Sequence, residues 1–128
     1  MAIELNHTIV HARDKRESAA FFTEIFGLPA AKPFAGHFLV VQLDNGVSLD
    51  FIDAPDPITK QHYAFIVSDA EWDAIFARIR ARGLPYWADP ARTQPNQTNT
   101  HFGGRGVYWE DPSGHFLEII TRPYGSGG

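Results

Sequence analysis

Ser113-Gly114-His115-Phe116-Leu117-Glu118, near the end of this 128-residue chain, repeats the form of Asn45-Gly46-Val47-Ser48-Leu49-Asp50: a turn pair, a short strand-like run and a closing carboxylate. The correspondence extends backwards through both halves. Gly83-Leu84-Pro85 answers Gly27-Leu28-Pro29, Phe76 answers Phe21, Asp69 answers Asp14, and Gln61-His62 answers Asn6-His7. Each half therefore has a His near its start, His7 or His62, and an acid near its end, Asp50 or Glu118. A duplicated module can bring such distant residues to one point, which makes a metal-centred site the leading expectation. The spacing between matched positions grows along the chain, so roughly a dozen residues were inserted in the second half only, as surface loops tolerate. Asp89 to Gly104, rich in Pro, Asn, Gln, Thr and Gly with no apolar period, is the place for them. Loops of that length are usually functional lids or disordered.

A hydrophobic share of 44%, with ten Phe, three Trp and four Tyr, supplies enough core for one domain of this length. We expect that domain to span residues 1–124, with a first module at 1–54, a linker at 55–60 carrying Pro55 and Pro57, and a second module at 61–124. The Gly-Ser-Gly-Gly end at 125–128 reads as a flexible tail. A formal charge of -4 argues against nucleic acid as a partner, since a phosphate-backbone binder presents a clustered excess of Lys and Arg. The absence of Cys excludes disulfides and a thiolate nucleophile, and restricts any metal site to nitrogen and oxygen donors. No cationic apolar leader or membrane-length apolar run is present, so a soluble, cytoplasmic protein is expected.

Ile3 to His11 alternates as a strand does, with His7 and His11 on one face. Asp14 to Glu17 has the form of a capping box, Phe21 with Ile25 and Phe22 with Phe26 form an i,i+4 stripe, and Gly27 stops that helix. Strands are expected at Gly36–Leu43 and Val47–Asp53, joined by Asp44-Asn45-Gly46, whose Asn-Gly pair favours positive φ in a tight hairpin turn. Ser48, Asp50 and Ile52 then share one face. The second half repeats the order: a strand from His62 to Val67, a helix capped at Ser68 with Trp72, Ile75, Phe76 and Ile79 inward, a short strand near Tyr86, the long loop, and a hairpin of Gly106–Glu110 with His115–Thr121. Each half is strand, helix, then three strands, an α+β pattern.

Val107-Tyr108-Trp109-Glu110-Asp111-Pro112-Ser113-Gly114-His115-Phe116-Leu117-Glu118 resembles the Tyr-x-x-Asp-Pro-x-Gly-x-x-x-Glu segment of the vicinal oxygen chelate superfamily. That superfamily includes glyoxalase I, bleomycin-resistance proteins, fosfomycin-resistance enzymes and extradiol dioxygenases. The resemblance covers Leu5 to Thr121. It implies a glyoxalase/dihydroxybiphenyl dioxygenase-like fold, two βαβββ modules forming a cupped mixed sheet. It places metal ligands at His7, His62 and Glu118, with Asp50 at the variable fourth position. Two imidazoles and a carboxylate suit a divalent Fe, Mn, Ni, Co or Zn ion. His11 cannot join His7 on one ion, because four residues along a strand span roughly 13 Å; it is expected to line the pocket. Asn99-Thr100-His101 followed by Val107-Tyr108 resembles the extradiol dioxygenase pattern, which implies catalytic roles for His101 and Tyr108 in proton transfer and hydrogen bonding. Arg105 and Arg122 flank the last hairpin and are suited to bind a carboxylate or phosphate of a small-molecule substrate.

The implied function is a small metal-dependent enzyme that binds its substrate through adjacent oxygens, with an extradiol-type dioxygenase supported by His101 and Tyr108. The alternatives are a glyoxalase I-like lyase or isomerase using Asp50 as fourth ligand, and a metal-free binding protein of the bleomycin-resistance kind. His62-Tyr63-Ala64-Phe65 also resembles fosfomycin-type transferases, but their potassium-binding loop has no counterpart in Asp89 to Gly104. Small members of the superfamily usually pair, so a homodimer is expected.

Overall fold

A computed structural model describes residues 3–125, and within it the chain divides into two compact units between Thr59 and Lys60. The first unit runs β1 (His7–Ala12), α1 (Lys15–Phe26), β2 (Lys32–Phe34), β3 (Phe38–Gln42) and β4 (Ser48–Asp53). The second runs β5 (His62–Ile66), α2 (Asp69–Ala81), β6 (Tyr86–Trp87), a 3₁₀ turn (His101–Gly103), β7 (Gly106–Glu110) and β8 (Phe116–Ile120). Both units build the same four-stranded mixed sheet, in the orders β1-β4-β3-β2 and β5-β8-β7-β6. The first and last strands of each unit pair in parallel and the hairpin strands pair antiparallel. The α+β pattern of two similar modules is therefore present.

Local chemistry explains why the helices begin and end where they do. Asp14 accepts from the N–H groups of Arg16 and Glu17 at 2.9 and 3.3 Å, and Gly27, at φ 70°, ends α1 in the left-handed conformation that favours glycine. The complete capping box is at α2. Ser68 Oγ accepts from the Glu71 N–H at 3.1 Å, while Glu71 Oε1 accepts from the Ser68 N–H at 2.8 Å. One face of each sheet then packs on its helix. In the first unit Val10, Ala12, Val41, Leu49 and Phe51 are buried with Ala19, Phe22 and Ile25 of α1. Phe22 stacks on Phe26 as the spacing predicted, with ring centroids 4.2 Å apart. In the second unit Val107, Trp109, Leu117 and Ile119 are buried with Trp72, Ile75 and Ile79 of α2. Alternation along the strands puts the remaining side chains on the opposite face of each sheet, and the candidate site residues are there.

Three features depart from the sequence reading. β1 begins at His7 rather than Ile3, because its parallel partner begins at Ser48; Ile3 and Leu5 are exposed. The Asn45-Gly46 turn has positive φ only at Gly46, while the Asn45 side chain takes the Val47 N–H instead. The segment Asp89 to Gly104 is neither a bare lid nor featureless. Asp89 accepts from the backbone of Thr93 and Gln94, Asn99 Nδ2 donates to the Ala88 carbonyl, and Asn99 pairs with Gly106 as an isolated bridge. These side-chain to backbone bonds fold the loop without any apolar period.

Hydrogen bonds from the Ser68 backbone, and then from its side chain, hold the Glu71 carboxyl below the ordinary carboxylate range. A depressed carboxyl stabilises the fold above its unfolded pKa, and that contribution is lost as pH falls through the folded value. We predict that Ser68→Ala lowers stability by about 1 kcal/mol at pH 7. Glu71→Ala should lower it by less, with a deficit that shrinks on acidification. Denaturant unfolding at neutral and acidic pH checks this, and a pH-independent Glu71→Ala deficit would contradict it.

Candidate metal-binding site

The register of the second sheet lines up Ala64, Glu118 and Tyr108 across β5, β8 and β7, with His62 opposite Phe116 one step along. All five residues share the face turned away from α2. Glu118 is only 1% exposed, so its carboxylate has left water. Such a group is tolerated only when hydrogen bonds or an ion compensate the lost hydration. Here His62 Nε2 lies 3.0 Å from Oε1, and the Tyr124 hydroxyl donates to both carboxylate oxygens at 2.8 Å each. The His62 side chain is 44% exposed, so its ring reaches from the buried carboxylate out to solvent.

Aromatic rings build the rest of this face. Tyr108 stacks on Phe116 with centroids 5.2 Å apart, and the His62 ring is 5.8 Å from Tyr108 and 6.0 Å from Phe116. Burial, with further contributions from Tyr124 and Glu118, pushes the Tyr108 phenol well up. Burial likewise raises the Tyr124 phenol.

The turn that carries the Asp-Pro-x-Gly pattern has a structural explanation. Asp111 accepts from the N–H groups of Ser113 and His115 at 3.0 and 2.8 Å, and Gly114 sits at φ 90°. His115, 1% exposed, accepts the Gln61 N–H at Nδ1 and so ties the start of β5 to the start of β8. These residues set the register that puts His62 within reach of Glu118.

In the first unit, His7, His11 and Asp50 share the face of their sheet turned away from α1, with His7 opposite Ser48 and Ile9 opposite Asp50. His7 Nδ1 is 2.7 Å from Asn6 Oδ1, and Asp50 accepts from Ser48 Oγ at 2.9 Å. Among the described residues no group of three or more His, Cys, Asp or Glu side chains is gathered for a metal ion. Within the second unit the structure brings together two of the expected ligands, His62 and Glu118, plus Tyr108. One imidazole nitrogen and one buried carboxylate oxygen are the donor types that a divalent ion of the first transition row accepts, so the residues fit a metal.

Other expected site residues fall elsewhere. His101 is exposed at the start of the 3₁₀ turn, and its ring meets Phe102, which in turn meets Tyr124 at 5.1 Å. Two rings thus stand between His101 and Glu118. Arg105 lies on the helix side of the sheet, over the Trp72 ring at 4.4 Å, with Nη1 2.7 Å from Asp73 and Nη2 3.1 Å from Asp69. Those two carboxylates occupy its guanidinium. Arg122 is exposed beyond β8.

Two residues that sequence reasoning missed are brought in instead. Arg92, from the inserted loop, lies over the rings of Phe116 at 4.7 Å and Trp87 at 5.5 Å, with Nη2 2.8 Å from Glu110. Tyr124, just past β8, reaches Glu118. Neither follows a period or motif. The available signal was weak: an Arg in a long insertion and an aromatic residue next to a Pro.

The Glyoxalase/Bleomycin resistance protein/Dioxygenase superfamily model matches residues 4–119 of this chain. Among solved structures, Oxidase ChaP-H1 is 62% identical with a TM-score of 0.94, covering 98% of this chain and 100% of its own. Oxidase ChaP-H2 is 56% identical with a TM-score of 0.95 and full coverage of both chains, 100% each. Among characterised proteins, the Glutathione transferase FosA of Serratia marcescens is 28% identical over 125 residues, 93% of this chain and 81% of its own. With the superfamily model spanning nearly the whole sequence and both modules folded alike, the chain belongs to the glyoxalase/bleomycin resistance/dioxygenase, or vicinal oxygen chelate, superfamily.

Proposed function

We propose that this protein is a small divalent-metal-dependent oxidoreductase that takes its substrate through adjacent oxygens. The observation that carries the reading is the buried Glu118 carboxylate joined to the half-open His62 ring on an aromatic-lined sheet face. A carboxylate with 1% exposure and an imidazole open to solvent suit a ligand pair better than a surface ion pair. In this reading His62 and Glu118 would hold the ion, and His7 and Asp50 are the candidate donors of the first unit. The similarity to two proteins named as oxidases favours oxidation over the lyase alternative. The weaker likeness to a transferase supports metal-assisted chemistry in general.

A bound ion would supply Lewis acidity, redox capacity and two adjacent positions for substrate oxygens. The chain's own groups supply the rest. Tyr108, whose ring lies beside His62, offers a phenol O–H to donate a hydrogen bond where negative charge develops on a substrate oxygen. Trp87, Tyr108 and Phe116 give a flat apolar wall, and Arg92 places a cation at its edge. A homodimer belongs to the same proposal. Among the described residues no helix is long and apolar enough to cross a membrane.

Purified protein reconstituted without oxygen should bind about one divalent ion per chain, and His62→Ala should lose that ion with the circular dichroism spectrum unchanged. Protein that binds no metal would overturn the reading in favour of a metal-free binder. Loaded protein screened with catechols, hemithioacetals and epoxides should consume oxygen with a catechol. Turnover of an epoxide with a thiol and no oxygen uptake would instead assign the transferase branch.

A further inference from the structure

Tyr124 lies beyond β8, after Arg122 and Pro123, and its residue is 59% exposed. Its hydroxyl nonetheless turns inward and sits 2.8 Å from each oxygen of Glu118. One phenol has one hydrogen, so it bridges the two oxygens and fixes the plane of the carboxylate. The Tyr108 hydroxyl lies 3.5 Å from the Tyr124 oxygen, at the limit of hydrogen bonding.

The surroundings hold Tyr124 in this position from two sides. Its ring packs on Phe102 at 5.1 Å, and Phe102 has φ 59°, a left-handed backbone unusual for an aromatic residue. The segment leading to Tyr124 is also clamped to the residue that follows the inserted loop, since Thr121 Oγ1 accepts the Arg105 N–H at 2.8 Å. A Cβ at Gly104 would lie 2.5 Å from Thr121 Oγ1 and 2.6 Å from Arg122 Cγ, so only glycine permits this close approach. The chain thus uses a strained turn and a bare glycine to carry one hydroxyl to a buried carboxylate.

We infer that Tyr124 is the positioning residue for Glu118 as a metal ligand, an inference that rests on the metal-dependent reading above. With His62 and Glu118 holding an ion, the Tyr124 hydroxyl would remain hydrogen-bonded to the carboxylate and would restrain its rotation. Partners of this kind, hydrogen-bonded to a ligand and not to the ion, are worth roughly 10- to 100-fold in metal affinity.

The test is Tyr124→Phe, which keeps the ring on Phe102 and removes only the hydroxyl, with Co(II) as probe. The variant should bind Co(II) about 10- to 100-fold more weakly, with an altered visible spectrum of the bound ion and an unchanged circular dichroism spectrum of the metal-free protein. Phe102→Ala should weaken binding in the same direction. If the wild-type chain binds Co(II), Glu118→Gln does not, and Tyr124→Phe binds as tightly as wild type or more so, the inference fails while the metal reading stands. If the wild-type chain does not bind Co(II), both are overturned.

Discussion

The burial of one carboxylate constrains the rest of the second unit. Removing a charged Glu118 from water costs several kcal/mol even after relaxation, and that cost is met only if donors converge on it. At 1% exposure it receives His62 from the parallel neighbour strand and Tyr124 from the segment that follows its own strand. Each donor depends on a separate structural device. His62 needs the parallel pairing of β5 with β8, whose start is fixed by His115 accepting the Gln61 N–H. Tyr124 needs the inserted loop folded back, with Phe102 and Gly104 in place.

The repeat and its interruption serve different ends. Both units use the same strand-helix-hairpin order, so that the first strand and the last strand of each lie side by side and point His and acid from one face. In the first unit the pair is loose: Asp50 is held by Ser48 on its own strand, and His7 by its neighbour Asn6. In the second unit it is closed by direct contact. The insertion found only there brings Arg92 over the aromatic wall and Phe102 under Tyr124, so the asymmetric segment shapes the side of the cluster open to solvent.

Much of this was legible in the sequence because it follows from period and punctuation. The alternation that put His62 and Glu118 on one face, the caps at Asp14 and Ser68, and the Gly27 stop are local rules that tertiary packing did not override. The long loop was not legible, because Asp89 and Asn99 fold it by bonding backbone groups of particular residues, which leaves no trace in hydropathy. Arg92 was missed because it acts across many residues of sequence, and Tyr124, six residues beyond Glu118, because it lies past the last strand where no alternation reaches. Arg105 was expected at the substrate and lies on Asp69 and Asp73, two helix carboxylates whose position no strand pattern reveals.

The central claim is that Glu118 is buried in order to hold an ion. It is tested most directly by the thermal stability of wild type and Glu118→Gln, each with and without a divalent metal. At a metal concentration about 100-fold above the dissociation constant, an ion bound only to the folded state adds about 2.7 kcal/mol of stability. The wild type should show that gain as a raised melting temperature, and Glu118→Gln should show none. An equal gain in both proteins, or no gain in either, would contradict the account.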